Sequence, residues 1–285
     1  MQLQIRAAAM EDAATCGQIC YDAFAAIAGR HGFPPELPSL DAAVTLMSEL
    51  IGNPGFFGVV AECEGRVVGS NFLDERSMIL GVGPISVEPT SQDRQLGRAL
   101  MTAVLDRSAA RGAPGVRLVQ IAYHNRSLSL YTKLGFDIRE PLAALQGTPL
   151  ELQIHGYAVR RATEADIDAC NALCVRVLGH DRKGELVDAI ALRSATVVER
   201  QGRISGYATG IGYFTHSVAE TNDDLAALIA AAEEYSGPGF LVPLRNTELL
   251  RWCLQHGLRV VHMHNLMSIG LYQEPRGAFL PSIFC

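Results

Sequence analysis

Several features of exported, membrane-bound and nucleic-acid-binding proteins are missing from this 285-residue sequence. Its seven cysteines include no C-x-x-C pair, which argues for reduced thiols and against a disulfide framework or a zinc site. The formal net charge is -6, so we expect no basic surface for nucleic acid or anionic lipid. The first residues lack the apolar core of an export signal, and uncharged runs such as ILGVGPISV are too short to span a bilayer. These absences predict a cytoplasmic protein.

Two globular domains are expected, because domains contain roughly 100–200 residues each and 48% of these residues are hydrophobic. Three segments of the first half also recur, in the same order, in the second half. IRAAAMEDAATCGQIC aligns with VRRATEADIDACNALC at an offset of 154 residues, CEGRVVGS with RQGRISGY at 137, and HNRSLSLYTKLGFDI with NTELLRWCLQHGLRV at 122. Such co-linear matches indicate two copies of one domain, which we place at residues 1–150 and 151–285.

The hydrophobic pattern of the first copy predicts an α/β fold built on a mixed sheet. A hairpin joins residues 57–63 to 66–72 through Glu64-Gly65, and Gly135 ends the last helix. The segment 140–157, rich in proline and glycine, is expected to hold the closing strands of the first copy and the linker. The remaining predicted strands are 4–7, 82–87 and 116–123, and the helices are about 11–27, 40–51, 95–111 and 127–134.

The segment from Ile85 to Gly112 carries the clearest functional pattern. An apolar strand ends at Val87, a proline turn follows, and a polar loop enters a helix. The unpaired amides and the positive end of such a helix point at whatever precedes it. With a basic side chain nearby, this arrangement suits a pyrophosphate.

The same residues resemble the GNAT family of acetyl-CoA-dependent N-acyltransferases. The family pattern is V-x-P, then Gln or Arg, two residues, Gly, any residue, and Gly or Ala. Gln95 stands where the first Gly is expected, and its amide can still face a phosphate if φ stays negative. The matching positions are Val87, Pro89, Gln92, Gly97 and Arg98-Ala99-Leu100.

A second family signature, Asn followed by a helix ending in Tyr-Lys-x-Gly-Phe, lies about thirty residues further on. HNRSLSLYTKLGF places His124 at the family's Asn position with Asn125 next to it. The matching residues at the helix end are Tyr131, Lys133, Gly135 and Phe136. The resemblance covers roughly residues 1–150.

The resemblance implies two tandem domains, each a mostly antiparallel sheet with a splayed central parallel pair flanked by helices. The pantetheine arm of acetyl-CoA would lie between the strands 82–87 and 116–123, and its pyrophosphate on the amides from about Arg94 to Ala99. No metal is implied. The implied cofactor-binding residues are Ile85, Ser86, Val87, Gln92, Arg94, Gln95, Leu96, Gly97, Arg98, Ala99, Asn125 and Tyr131.

For catalysis, Tyr131 matches the tyrosine that in many family members faces the CoA sulfur, so it is the expected proton donor to the thiolate, although it can also simply pack. Glu75, with Asp74 beside it, is a weaker candidate for the base that deprotonates the amine. The alternative is that both are solvated loop carboxylates.

His124 can be a base, a CoA contact or a strand-end residue. His262 and His264 share one face of a strand, but no third ligand completes a metal site.

The second copy lacks the glycine loop and a basic residue at the corresponding helix start. Thr221 is the predicted N-cap, with Asp223 and Asp224 in the first turn, so these carboxylates satisfy the helix amides and would repel a pyrophosphate. Cys253 replaces the tyrosine, while Asn246 occupies the Asn position. The copy therefore resembles the degenerate halves of tandem GNAT proteins, and its tail can line an acceptor pocket or pack as an edge strand.

The sequence thus predicts an N-acetyltransferase whose first domain transfers an acetyl group from acetyl-CoA to a primary amine by direct attack. The acceptor can be a small-molecule amine or a peptide N-terminus, and the oligomeric state is left open. Two alternatives remain at this point: a non-catalytic acyl-CoA sensor or structural protein, and an acyltransferase using a different acyl-CoA.

Overall fold

The computed structural model describes residues 3–92 and 95–284. The chain divides into two compact units. The first comprises residues 1–75, 79–117 and 123–135, and the second comprises 76–78, 118–122 and 136–285. Among the described residues, no helix combines the length and the apolar character that crossing a membrane requires.

The first unit follows the predicted order of elements closely. Its sheet runs β1-β2-β3-β4-β6, antiparallel except for the parallel pair β4–β6. The elements are β1 (Leu3–Ala7), α1 (Ala13–Arg30), α2 (Leu40–Gly52), β2 (Phe56–Cys63), β3 (Arg66–Asp74), β4 (Ile79–Val82), β5 (Ser86–Val87), α3 (Leu96–Ala110), β6 (Gly115–Ile121) and α4 (Asn125–Lys133).

Local sequence signals explain several of these boundaries. The Glu64-Gly65 turn has φ of 53° and 77°, the double left-handed conformation that matches the twist of a two-residue hairpin. Ser39 caps α2, its hydroxyl accepting from the Ala42 amide at 3.1 Å. Gly135 follows α4 with φ of 95°, as its sequence position predicts.

The second unit repeats the same order of helices and strands. The five-stranded sheet β14-β11-β10-β9-β8 is entirely antiparallel. The elements are β7 (Asp137–Gln146), β8 (Ala158–Arg161), α5 (Ile167–Leu178), α6 (Lys183–Ala191), β9 (Thr196–Arg200), β10 (Arg203–Ala208), β11 (Ser217–Ala219), α7 (Asn222–Ala230), β12 (Phe240–Pro243), α8 (Thr247–Gln255), β13 (Arg259–Gly270) and β14 (Ala278–Leu280).

One expectation about the first copy is wrong. The segment 140–157 is expected to hold the closing strands of that copy, but β7 lies between β13 and β12 and pairs antiparallel with both. Leu142 to Leu145 are fully buried there, which an edge position would not allow. The compact unit containing β7 therefore begins at Phe136, earlier than the predicted boundary at 150.

An ion cluster at the start of each copy confirms the repeat in atomic detail. Arg6 bonds Asp12 at 2.7 Å and Glu62 at 2.9 Å. Arg160 bonds Asp166 at 2.8 Å and Glu199 at 2.7 Å. The paired positions differ by 154 and 137 residues, the offsets found in the sequence. In both copies the acid also accepts from the backbone amide three residues earlier, which fixes the turn into the first helix.

The second unit contains a buried polar network around His216. Its Nδ1 lies 3.0 Å from Glu185 and its Nε2 lies 2.9 Å from the Tyr207 hydroxyl. Glu185 also accepts two hydrogen bonds from Arg182, at 2.7 and 2.6 Å. Burial, together with the positive charges of Arg182 and Arg76, lowers the pKa of His216 to about 4. The imidazole is therefore neutral at pH 7.

This network predicts acid sensitivity of the second unit. In the unfolded chain His216 binds its proton near pH 6.5, so lowering the pH from 6.5 towards 4 favours unfolding, by about 3 kcal/mol at most. Urea unfolding of the whole protein between pH 7.5 and 4.5 should show this loss, and His216→Gln should reduce its slope. An unchanged slope in the variant would contradict the assignment.

Candidate functional site

The central parallel pair of the first unit separates at one end. β4 pairs with β6 from Ile79 opposite Gly115 to Gly81 opposite Arg117. Beyond Val82 the chain turns away, and β5 continues beside β3, with Val87 opposite Gly69. The predicted continuous strand 82–87 is therefore interrupted at residues 83–85. Among the described residues β5 pairs with β3 alone.

β5 is followed by the loop that leads into α3. Gln92 holds the loop to the strand, because its side-chain amide donates to the Val87 carbonyl at 3.3 Å. The guanidinium of Arg126, on the first turn of α4, donates to the same Gln92 side chain at 3.4 Å. Asp93 and Arg94 lie outside the described residues, so the predicted phosphate contact of Arg94 stays a prediction.

Gln95 is the N-cap of α3 and has φ of 60°. The condition of a negative φ at this position is not met: Gln95 adopts the left-handed conformation, which a glycine reaches without a steric penalty. It makes no side-chain cap to the helix. The first-turn amides of Leu96, Gly97 and Arg98 therefore precede the helical hydrogen bonds and receive no capping bond from the Gln95 side chain.

The hydrogen bonds within α3 bear on the predicted contact between Ala99 and the cofactor. The Ala99 amide donates to the Gln95 carbonyl at 3.0 Å, which makes it the first amide committed to the helix. The amides outside the helical hydrogen bonds are thus those of Leu96 to Arg98, one residue fewer than expected at this end. A Cβ at Gly97 would lie 3.4 Å from the Leu130 side chain, which places α4 directly beside this turn.

Tyr131 lies on that neighbouring helix and is 7% exposed. Burial raises the pKa of its phenol well above the ordinary value of 10, so the hydroxyl keeps its proton throughout the physiological range. Asn125, by contrast, is the exposed first residue of α4, while His124 is the N-cap. Burial and the charges of Arg126, His31 and Arg30 lower the pKa of His124 to about 4.

Glu75 is placed where it stabilises α3. Its carboxylate accepts from Arg107 at 2.8 and 3.1 Å and lies 3.3 Å from Arg111. Both arginines are at the carboxyl end of α3, and Arg107 also stacks over the Phe57 ring at 4.9 Å. Asp74 is buried at the end of β3. Both carboxylate oxygens of Glu75 are thus engaged by the two guanidinium groups, so the geometry gives no support to Glu75 as the base.

A polar and aromatic cluster that the sequence analysis missed lies at the end of β6. The Phe33 ring stacks on Tyr123 with centroids 4.6 Å apart, and His31 lies 5.2 Å from the same ring. Glu36 is only 8% exposed. Burial and the negative charge of Glu36 both raise the pKa of Tyr123. We call Phe33, His31, Glu36 and Tyr123 the Glu36 cluster.

Weak sequence signals accompany this cluster. His31, Phe33 and Glu36 lie in the RHGFPPELP segment between α1 and α2, where neither helical nor strand periodicity distinguishes one residue from the next. A charged residue next to two prolines in a connecting loop is ordinarily solvated. Only its low exposure in the folded chain distinguishes the Glu36 carboxylate from ordinary loop carboxylates.

His262 and His264 lie on β13 in the second unit, and both are buried. The Nε2 atom of His264 lies 2.9 Å from the Tyr213 hydroxyl. Burial lowers the pKa of both imidazoles, to about 3 for His264, where the neighbouring His262 contributes as well. Within residues 3–92 and 95–284, no three His, Cys, Asp or Glu side chains are grouped as metal ligands would be.

The start of α7 has the predicted capping arrangement. The Thr221 hydroxyl accepts from the Asp224 amide at 3.3 Å, and the Asp224 carboxylate accepts from the Thr221 amide at 3.1 Å. Asp224 is fully buried and lies 3.2 Å from Arg200. The first turn of α7 therefore contains a carboxylate that takes part in capping it. The N-cap residue of α3, Gln95, has an uncharged side chain.

Comparison with known proteins agrees with this geometry. Residues 54–138 match the family model described as an acetyltransferase (GNAT) domain. An IAA acetyltransferase of Azospirillum brasilense is 28% identical over 139 residues, covering 41% of this chain and 91% of that protein.

Two solved structures share the fold over nearly the whole chain. A Pyrococcus horikoshii protein provisionally described as an acetyltransferase superposes with a TM-score of 0.75 at 16% identity, covering 97% of this chain and 94% of that one. A tandem GNAT protein from the clavulanic acid biosynthesis pathway gives a TM-score of 0.56 at 15% identity, covering 94% and 98%. Residues 54–138, which contain both signatures, thus match the GNAT acetyltransferase domain, and the likeness in fold to these two structures extends over nearly the whole chain.

Proposed function

We propose that the first unit transfers an acetyl group from acetyl-CoA to a primary amine by direct attack. The observation that carries this proposal is that two suitable features are adjacent in the chain. The first is β5, whose second edge lies on the side where β4 and β6 separate. The second is the start of α3, which the Gln95 side chain does not cap. The edge supplies backbone groups for the amides of the pantetheine arm. The amides of Leu96, Gly97 and Arg98 supply donors for the pyrophosphate.

The reaction needs a nucleophilic nitrogen, a polarised thioester and a stabilised leaving group. The amine nitrogen bonds to the thioester carbonyl carbon, giving a tetrahedral oxyanion. Collapse of this intermediate breaks the carbon–sulfur bond and leaves the electron pair on sulfur as the CoA thiolate. The nitrogen releases its proton to a base, and the thiolate is stabilised by a hydrogen-bond donor, the role we give to the Tyr131 hydroxyl.

The Glu36 cluster is our proposed site for the acceptor. A buried carboxylate attracts an ammonium group and can take the proton released when the nitrogen attacks. The Phe33 and Tyr123 rings offer flat apolar surfaces for the rest of the acceptor, and a cation over an aromatic face gains further attraction. This arrangement favours a small amine carried on an apolar or aromatic body. It also moves the expected base from Glu75 to Glu36.

The direct test is CoA release, followed with a thiol reagent, across a panel of amines with acetyl-CoA as donor. Phenylalkylamines should give the highest kcat/KM and strongly anionic amines the lowest. A parallel panel of acyl-CoA donors tests whether a longer acyl group is preferred. Binding of acetyl-CoA without CoA release for any amine would contradict the proposed reaction.

Glu36→Gln should lower kcat/KM for the amine by on the order of 100-fold, because the variant removes the charge opposite a desolvated ammonium group while keeping the side chain's size. The affinity for acetyl-CoA, measured by calorimetry, should be unchanged. Glu64→Gln is the matched control, since Glu64 is an exposed carboxylate in the β2–β3 turn. Equal kcat/KM values for the two variants would contradict the assignment of Glu36.

We also propose that the protein works in the cytosol. The six described cysteines are free and buried, which is compatible with a reducing compartment.

A further inference from the structure

β11 is the counterpart of β5 in the second unit. Gly69 of β3 lies opposite Val87 of β5. Its repeat equivalent, Gly206 of β10, lies opposite Ala219 of β11. The two short strands therefore hold the same position in their respective sheets, and both are followed by the helix whose start would receive a pyrophosphate.

The two strands differ in what lies on their other edge. β11 pairs on that edge with β14, the last strand of the chain, in antiparallel register from Ser217 opposite Leu280 to Ala219 opposite Ala278. All three residues of β14 are buried, and Phe279 packs into the cluster that contains Leu173 and Val218. In the first unit, β5 has no second strand among the described residues.

Close packing fixes the segment around β14. A Cβ at Gly277 would lie 2.6 Å from the Ala219 carbonyl oxygen, so a larger residue cannot fit without displacing the strand. The Arg276 amide donates to the Val177 carbonyl, and the Ile283 amide donates to the Tyr213 carbonyl, both at 2.8 Å. The tail is thus held on both sides of the strand.

We propose that the β11 edge is a binding site for an extended polyamide chain, and that residues 276–284 fill it as a ligand built into the protein. Main-chain hydrogen bonds along a sheet edge recognise any extended amide-bearing chain, and this edge takes a peptide. The comparison with the first unit, where the same edge would take the pantetheine arm, rests on the proposed function. The second repeat is consequently closed to acyl-CoA, and each chain binds one molecule.

The neighbouring cleft strengthens this conclusion. Its volume is about 540 Å³, and it lies where the starts of α7 and α8 meet β14. Glu220 and Glu274 are among its lining residues, and at the α7 start Asp224 accepts from the Thr221 amide. A pyrophosphate entering here would meet these carboxylates, of which Glu220 is paired with Arg203 and Glu274 with Arg245. The main obstacle to acyl-CoA is therefore the strand edge that the tail has already taken.

The test uses the full-length chain with Gly277→Val, which should push the tail off β11. Amide exchange at residues 278–280 should accelerate by on the order of 100-fold, as expected when a paired strand opens locally. A fluorescent peptide of residues 274–284 should then bind the variant, as measured by anisotropy, but not the unaltered protein. Arg276→Val is the matched control, because Arg276 is exposed and should leave exchange and peptide binding as they are. Unchanged exchange in Gly277→Val, or failure of the folded variant to bind the peptide, would overturn the proposal.

If Gly277→Val does not fold, the proposal is tested by amide exchange and calorimetry on the unaltered chain. Amides 278–280 should exchange as slowly as those of β10, and acetyl-CoA should slow exchange at 86–87 and 96–98 without affecting 217–219. Calorimetry should give a stoichiometry near one. Fast exchange at 278–280, protection of 217–219 or a stoichiometry near two would overturn the proposal. Protection at neither strand would instead contradict the proposed function, while slow exchange at 278–280 would still support tail pairing.

Discussion

Gly97→Glu is expected to weaken acetyl-CoA binding by on the order of 100-fold or more, because it introduces bulk and a negative charge where the pyrophosphate approaches. The protein itself should tolerate the change. Gly97 is partly exposed, and a Cβ there meets only the flexible end of Leu130 at 3.4 Å. Replacing glycine in a helix, with an acidic side chain in its first turn, favours folding slightly. The melting temperature of the unliganded protein should therefore stay the same or rise.

Two further variants separate the effects of charge, size and position. Gly97→Ala adds only the methyl group and should retain most of the affinity. Thr102→Glu places the same charge on an exposed position farther along α3 and should change the affinity by only a few fold. If Gly97→Glu binds acetyl-CoA as well as Thr102→Glu does, the pyrophosphate does not lie at the start of α3.

The sequence was sufficient to identify the elements that build this site. Periodic apolar residues located α3 and α4. The repeat offset aligned Arg6 with Arg160, and the ion pairs of these two arginines prove to be equivalent. The capping of α7 by Thr221 could also be predicted, since N-capping depends on a few neighbouring residues.

Interactions between distant segments could not be predicted in the same way. β7 lies between β13 and β12. This placement could not be predicted, because several strands of similar apolar character are equally suited to that position in the sheet. The left-handed conformation of Gln95 could not be predicted from its residue type, which prefers negative φ. The burial of Glu36 could not be predicted either, because a charged residue in a connecting loop is ordinarily exposed.

Removal of the Tyr131 hydroxyl is expected to reduce kcat by on the order of 100-fold, a typical contribution of one proton donor to catalysis. Tyr131→Phe keeps the ring and its packing in the first unit, so the affinity for acetyl-CoA should be maintained. Tyr157→Phe, which removes a hydroxyl from the second unit, should leave turnover unaltered. Steady-state rates with a confirmed acceptor, combined with calorimetric binding of acetyl-CoA, separate the two effects.

The pH dependence of the unaltered enzyme gives an independent test of the same role. A phenol whose pKa is raised by burial remains protonated when an ordinary tyrosine, with a pKa near 10, begins to ionise. It is then a weak acid relative to a CoA thiol of pKa about 8.5, so it stabilises the thiolate by donating a hydrogen bond and does not transfer its proton completely. Turnover should accordingly show no decline from loss of this proton up to about pH 10. If Tyr131→Phe instead leaves kcat unchanged, the residue only packs, and the thiolate departs without its help.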